Sequence, residues 1–305
     1  MLRFDDRVVI VTGAGRNLGR EYALLFAERG ARVVVNDLGV AISDTDDVGS
    51  ASVSDPAAAV VAEIEGAGGE AVANRDSVAT PEGGAAIVQT ALDAWGRVDV
   101  VVNNAGQVRL GRFEDFPEPH IDTVLATQVR GVLNVSRPAW RAMAASGGGR
   151  FVNVSSGSAW GLAGGAVYGM AKMGVIGLTR SMAAEGAPVG IRANVVTPYA
   201  KTRPGTGMGP YPWTATLGEW LAPRKVAPVV AWLAHETCPA NGECFSVGAG
   251  HVARVSIVVT AGFVDRQPTV ESVAAHAEEI LHGTTSEVTP FGSNALARMF
   301  EGYPG

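Results

Sequence analysis

Cysteine, aromatic residues and charge are all scarce in this chain of 305 residues, and each scarcity excludes something. The two cysteines, Cys238 and Cys244, sit together in CPANGEC. A secreted disulfide scaffold needs more of them and a structural metal site needs more ligands, so reduced thiols in a reducing compartment are expected. His120, His235, His251, His276 and His282 show no metal-ligand spacing, and no metal is expected. Charged residues make up 18% of the chain, the formal net charge is −6, and no basic run occurs, which argues against a nucleic-acid footprint. No apolar run is long enough to span a bilayer. The start, MLRFDDR, passes directly into VVIVT without the apolar region of a signal peptide, and the end, GYPG, is not a peroxisomal address. A cytoplasmic protein that engages neither membrane nor nucleic acid is expected.

What is present is a large apolar fraction, 47%, enough for an extensive core. Short β-branched runs alternate with helical segments from the start. Strands are expected at residues 7–12, 32–37, 70–74, 98–103, 150–155 and 191–196. Helices are expected at 18–29, 55–66, 81–95, 120–145 and around 168–186. Strands apolar on both faces and separated by helices imply a parallel sheet covered on both sides. The fold class is therefore α/β, a doubly wound parallel sheet (Rossmann fold) with its binding crevice at the carboxyl ends of the strands.

Two segments break the rhythm: a polar insertion at residues 38–54 and a Gly/Pro-rich loop, KTRPGTGMGPYP, at 201–212. The loop reads as a cover over the crevice. A further helix is expected at 269–281 with Thr269 as its N-cap. The expected division is a Rossmann-fold domain at 1–260 and a helical extension at 261–305 packed on it.

TGAGRNLGR, beginning at Thr12, follows a strand and opens a helix, the context a phosphate-binding glycine loop needs. Gly13 and Gly15 allow the tight turn and close backbone approach, Gly19 allows close helix packing, and Arg16, Asn17 and Leu18 complete the loop. Asp37 closes the second strand eighteen residues after Gly19. A carboxylate there accepts hydrogen bonds from ribose hydroxyls and repels a 2′-phosphate, which favours NAD over NADP. Asp76 and Ser77 end the third strand region where an adenine would lie, and Asn103–Asn104–Ala105–Gly106 borders the cofactor at the end of the fourth. Pro198, past the sixth strand, joins the same set.

Tyr168 and Lys172, at i and i+4, share one helix face. A phenol with a pKa near ~10 is a poor base at neutral pH. A neighbouring ammonium is expected to lower that value, letting Tyr168 exchange the proton of an alcohol, and a serine hydroxyl opposite would steady the substrate oxygen.

With TGAGRNLG, NNAG and YGMAK in this order, the chain resembles the short-chain dehydrogenase/reductase family. The sheet pattern carries the resemblance to about Gly250. The segments VVVNDLG, EAVANRDSV, ALDAWGRVDVVVNNAG, VAWLAHETCPANGECFSVGAG and FVDRQPTVESV are similar to the (3R)-hydroxyacyl-CoA dehydrogenase unit of peroxisomal multifunctional enzymes type 2 and to bacterial stand-alone relatives. The resemblance implies oxidation of a (3R)-3-hydroxyacyl-CoA by NAD, with a CoA thioester as the small-molecule substrate and a homodimer or homotetramer as the assembly. Counting back thirteen from Tyr168 selects Ser155, whereas the family's strand-exit position selects Ser156. A strand resists a register slip and a loop absorbs a deletion, so Ser156 is favoured, Ser155 follows and Ser158 comes third. Asn17 stands where the family has its middle glycine, and Gln128 where it has an asparagine that supports a relay water. For a pocket, Trp160, Met208, Tyr211 and Trp213 are candidates, and Arg109, Arg112, Lys201 and Arg203 are candidates for the coenzyme's phosphates. An alternative substrate is a hydroxysteroid, terpenoid or other secondary alcohol; a second alternative is a protein that binds NAD without turnover.

Overall fold

The computed structural model of the chain describes residues 1–39, 55–201, 217–260, 262–283 and 285–288. Two compact units divide it, Met1–Arg254 and Val255–Gly305. The first is built on strands β1 (Val8–Thr12), β2 (Arg32–Asn36), β3 (Glu70–Asn74), β4 (Val100–Asn103), β5 (Gly149–Val154), β6 (Ile191–Tyr199), β7 (Cys244–Gly248) and β8 (His251–Val255). They form one sheet in the order β3-β2-β1-β4-β5-β6-β7-β8. Pairing is parallel from β3 through β7. The chain builds outward on one side of β1 and then on the other, so the switch point lies between β1 and β4.

Burial on both faces explains why these strands are continuous apolar runs. Val8, Val9, Ile10 and Val11 are all fully buried, as are Val33, Val34 and Val35. Helices α1 (Asn17–Glu28), α2 (Pro56–Gly66), α3 (Pro81–Trp95), α4 (Glu118–Val124), α5 (Gly131–Ala145), α6 (Ala166–Gly186) and α7 (Ala227–Ala234) flank the sheet. Local signals set their limits. Asp55 caps α2 by accepting from the Ala58 N–H at 3.0 Å, with Pro56 in the first turn. Thr80 caps α3 in the same way at 3.1 Å, and left-handed Gly96 ends it.

The long helix expected at 120–145 is not continuous: α4 passes through a π-helical segment, Leu125–Arg130, into α5. The wide turn carries Gln128 inward, where it is 2% exposed. Such local π turns arise where a helix must present a side chain that the regular repeat would misdirect. The helix α7 and strands β7 and β8 lie beyond the elements spelled out from sequence.

In the second unit, β9 (Val258–Thr260) pairs antiparallel with β10 (Thr285–Val288). The helix expected at 269–281 is two short ones, α8 (Val270–Ala275) and α9 (Ala277–His282). Thr269 does cap the first, in a reciprocal box with Ser272. The break falls at His276, whose ring bonds the Ser272 carbonyl at 2.7 Å and stacks on Phe263 with centroids 4.4 Å apart. No described helix is long and apolar enough to cross a membrane.

Parallel register also lines up buried amides near the strand exits. Asn36 pairs with Asn74 at 2.8 Å and Asn103 with Asn153 at 2.8 Å, each directly opposite its partner. Asn153 in turn donates to Thr179 of α6 at 2.9 Å, and Asn103 to Ser136 of α5 at 2.9 Å. Replacing Asn153 by Ala strands two buried partners, so we expect a loss of about 2–3 kcal/mol in urea unfolding followed by circular dichroism. A loss below about 0.5 kcal/mol would mean that the amide chain does not secure the exit of β5.

Candidate active site

The site is assembled where β1, β2, β4, β5 and β6 end. Immediately after β1, Gly13 has φ +62° and Gly15 leads into α1. A side chain on Gly19 would fall on the Gly13 carbonyl and the Asn104 amide, and one on Gly15 would strike the Asp37 carboxylate. Only glycine permits that closeness. Asn17, in place of the family's middle glycine, has φ +48°, so it occupies the left-handed region that asparagine tolerates. Arg16 is the extended N-cap residue of α1, and Leu18 is half-buried.

Asp37 follows β2 and faces this loop. One carboxylate oxygen accepts from the Gly15 N–H at 3.0 Å and the other from the Gly39 N–H at 2.9 Å. Asn104 braces the loop from β4, donating its amide to the Thr12 carbonyl at 2.9 Å and its N–H to the Thr12 hydroxyl at 3.0 Å. Ala105 packs against Gly13, and Gly106 leaves room for the Gln128 side chain. Asp76 is exposed and accepts from Asn74 at 2.7 Å, while the Ser77 hydroxyl accepts from the Ala79 N–H at 3.2 Å. A backbone cradle with a carboxylate at its far side suits the phosphates and ribose of a dinucleotide.

Opposite the cradle, α6 presents Tyr168 and Lys172 from one face, the Lys172 Nζ 5.7 Å from the centre of the tyrosine ring. Lys172 is buried and donates to the Val154 carbonyl at 2.7 Å. The two serines diverge. Ser155 is 2% exposed and spends its hydroxyl on the Lys172 carbonyl at 2.8 Å. Ser156, two residues beyond β5, neighbours the Tyr168 phenol and donates its hydroxyl to the Ser158 hydroxyl at 3.2 Å. Its oxygen also accepts from the Ser158 N–H at 3.2 Å, starting the tight turn Gly157–Trp160.

Burial governs both ionisable groups. It pushes the Tyr168 phenol up to about 12, with the neighbouring Ser156 side chain acting the other way. It pulls the Lys172 ammonium down to about 7. Within the protein alone, burial therefore outweighs the lowering influence of Ser156 on the phenol.

Gln128 donates to the Gln107 carbonyl at 2.9 Å, beneath Gly106. Pro198 lies near the end of β6, one residue before Tyr199, a neighbour not singled out from sequence. Tyr199 reaches Gly157, where any side chain would meet its hydroxyl, so it walls the serine turn. The signal for it was β6 itself, which extends three residues further than expected. Among the expected pocket residues, Trp160 is 41% exposed. Arg109 donates to the Val108 carbonyl, Arg112 is engaged by Glu114, and Lys201 is exposed. Arg203, Met208, Tyr211 and Trp213 lie outside the described residues.

A glycine cradle, a strand-exit serine and a tyrosine–lysine helix define a nicotinamide-type oxidoreductase site on a Rossmann sheet. Residues 7–206 match the model of the short chain dehydrogenase family. The chain belongs to the short-chain dehydrogenase/reductase family and is an oxidoreductase. It is 45% identical over 284 residues to the mouse peroxisomal multifunctional enzyme type 2, covering 92% of this chain and 37% of that longer protein. It is 44% identical to a putative short-chain type dehydrogenase/reductase of Mycobacterium tuberculosis, covering 94% of this chain and 98% of that one. A crystal structure of a Mycobacterium avium short-chain dehydrogenase superposes with a TM-score of 0.79 at 35% identity, covering 95% of this chain and 99% of that one.

The depressed lysine makes stability depend on pH. Its folded value of about 7 lies below the ordinary lysine value of 10.5, so folding carries the full charge-burial penalty below about pH 7. The penalty lifts as pH rises toward that of the unfolded chain. Melting curves of cofactor-free wild type and Lys172→Met between pH 6.5 and 9.5 should therefore converge or cross in favour of wild type as pH rises, by on the order of 1 kcal/mol per pH unit. A difference constant over that range would show that Lys172 titrates as an ordinary lysine.

Proposed function

We propose that the chain oxidises a (3R)-3-hydroxyacyl-CoA to the 3-ketoacyl thioester, using NAD. The observation that carries the reaction type is the grouping of Ser156, Tyr168 and Lys172 beside the glycine cradle, with the Lys172 Nζ 5.7 Å from the centre of the tyrosine ring. Bound NAD supplies the acceptor for the hydride leaving the carbinol carbon. Tyr168, as phenolate, takes the hydroxyl proton, and Ser156 donates to the same substrate oxygen. Lys172 holds the ribose side of the cradle and contributes positive charge to the phenolate when protonated. Ser155 fastens β5 to α6 through the Lys172 carbonyl, a supporting role. Gln128, tied to the Gln107 carbonyl, supports the proton path behind the site.

The cradle fits NAD. Glycines stand where side chains would block a pyrophosphate, and the Asp37 carboxylate stands on the ribose side. A 2′-phosphate would be repelled there, which supports NAD over NADP. The acyl-CoA substrate rests on similarity to the peroxisomal multifunctional enzymes. Exposed Met170 and Met173 beside open Gly174 and Gly177 on α6 support a homodimer or homotetramer built on that face.

Purified protein with a medium-chain (3R)-3-hydroxyacyl-CoA and NAD should form reduced nicotinamide, and the same mixture with NADP should be at least tenfold slower. Tyr168→Phe should lower turnover about 10³-fold or more while NAD binding, followed by fluorescence titration, is unchanged; Ser156→Ala should lose about 10²–10³-fold. Full activity in Tyr168→Phe would remove the acid–base assignment. Silence toward the thioester with turnover of steroid or terpenoid alcohols would keep the chemistry and replace the substrate. Asp37→Ser should narrow the gap between NAD and NADP, read as the ratio of kcat/KM values.

A further inference from the structure

Two glycines near the serine turn share one reason for being glycine. Gly157 opens the turn that follows Ser156, and Gly248 is the last residue of β7. Neither lies in the left-handed region that favours glycine, so backbone conformation does not demand it at either place. What excludes a side chain is Tyr199. A Cβ on Gly157 would overlap the Tyr199 hydroxyl and the ring carbon that bears it. One on Gly248 would overlap the Tyr199 carbonyl and its Cβ.

Register explains the arrangement. Gly248 is the partner of Tyr199 in the β6–β7 pair, so it admits the stem of the tyrosine, and Gly157 admits the tip. The side chain therefore runs from the end of β6 to the residue next to Ser156. Its backbone is held on both sides: Pro198 has a fixed φ just before it, and the Lys201 N–H donates to the Leu221 carbonyl at 2.7 Å just after.

A ring seated this closely against backbone has no room to retreat, yet Tyr199 is 38% exposed. Trp160, at the far end of the same serine turn, is 41% exposed. Rigid aromatic surface left open beside a group that would bind the reacting oxygen is the kind of wall that small-molecule pockets use.

We propose that Tyr199 is a specificity-determining residue, whose ring forms the serine-side wall of the substrate pocket and limits the width accepted beside the carbinol carbon. The inference rests on the hydroxyacyl thioester reading of the site. A substrate whose oxygen meets Ser156 and Tyr168 brings the two carbons flanking its carbinol close to the serine turn. A methyl group on a flanking carbon then meets a ring that Gly157 and Gly248 hold in place.

The test is kcat/KM of the full chain with NAD for a straight-chain (3R)-3-hydroxyacyl-CoA and for its analogues methylated at either flanking carbon. Wild type should prefer the straight chain over at least one analogue by about tenfold or more, the span of one added carbon in a fitted pocket. Tyr199→Ala should cut that preference by about tenfold. Tyr199→Leu should shift it the same way and serves if the alanine variant does not fold, whereas Tyr199→Phe, which keeps the ring, should keep the preference. A preference unchanged in the alanine and leucine variants, with all three substrates slowed alike, overturns the proposal, since Tyr199 would then only brace the serine turn. Absence of any preference in wild type also overturns it. Should wild type oxidise steroid or terpenoid alcohols and no thioester, the substrate reading fails. Tyr199 is then decided by the same ratio, taken between a secondary alcohol and its analogue methylated beside the carbinol.

Discussion

A parallel sheet covered on both faces leaves polar chemistry only its two rims. Val8 through Val11 are buried on both faces of the sheet, so β1 cannot place a functional group along its length. At the carboxyl rim, the chain turns immediately after each strand, and the residues that follow β1, β2, β4 and β5 converge: Gly13, Asp37, Asn104 and Ser156. At the amino rim, the same strands begin with charged residues, Arg7, Asp99 and Arg150. Register then decides which of these groups are neighbours. It sets Asn103 against Asn153 and Arg150 against Arg192, pairs separated by tens of residues in sequence. One of those pairs is satisfied by complementary amides, whereas the other brings together two like charges.

Most of that architecture was readable because apolar periodicity and turn chemistry act locally. Residues 70–74 and 81–95 form the strand and helix expected, since Thr80, Pro81 and Gly96 mark the helix ends by their own conformational preferences. The glycine cradle was readable for the same reason, and Asn17, in place of the family's middle glycine, adopts a left-handed conformation that asparagine tolerates. What was not readable depends on contacts across the fold. The π turn at Leu125–Arg130 follows from where Gln128 must go, and no local propensity encodes it. The break at His276 depends on Phe263, thirteen residues earlier, as a stacking partner.

The choice between the serines shows the same limit. Counting along the chain could not separate Ser155 from Ser156, because the deletion that shifts one count lies in the turn between them and Tyr168. Alternation along β5 does separate them. Val154 is the last paired residue of the strand, and its carbonyl receives Lys172. Ser155 therefore points toward the backbone of α6, and Ser156 toward the crevice with Tyr168. Lys172, proposed to act beside Tyr168, is thereby positioned by the same strand end that orients the serines.

That positioning has an electrostatic consequence. Lys172 has one carbonyl as its buried hydrogen-bond partner among the described side-chain contacts, in contrast to Asp99, which receives two arginines and a backbone N–H. A single neutral acceptor does not offset desolvation of an ammonium, so the lysine is drawn to about 7 while the phenol beside it rises to about 12. Proton acceptance by Tyr168 is therefore disfavoured in the isolated site. Positive charge brought into the cradle acts oppositely on the two groups: it stabilises a phenolate and further disfavours the ammonium. The neutral Ser156 side chain beside the phenol lowers the Tyr168 pKa without adding a charge that burial would penalise. In the proposed reaction, burial holds the proton on the Tyr168 phenol and positive charge entering the cradle favours its release, which would tie proton transfer to occupation of the site.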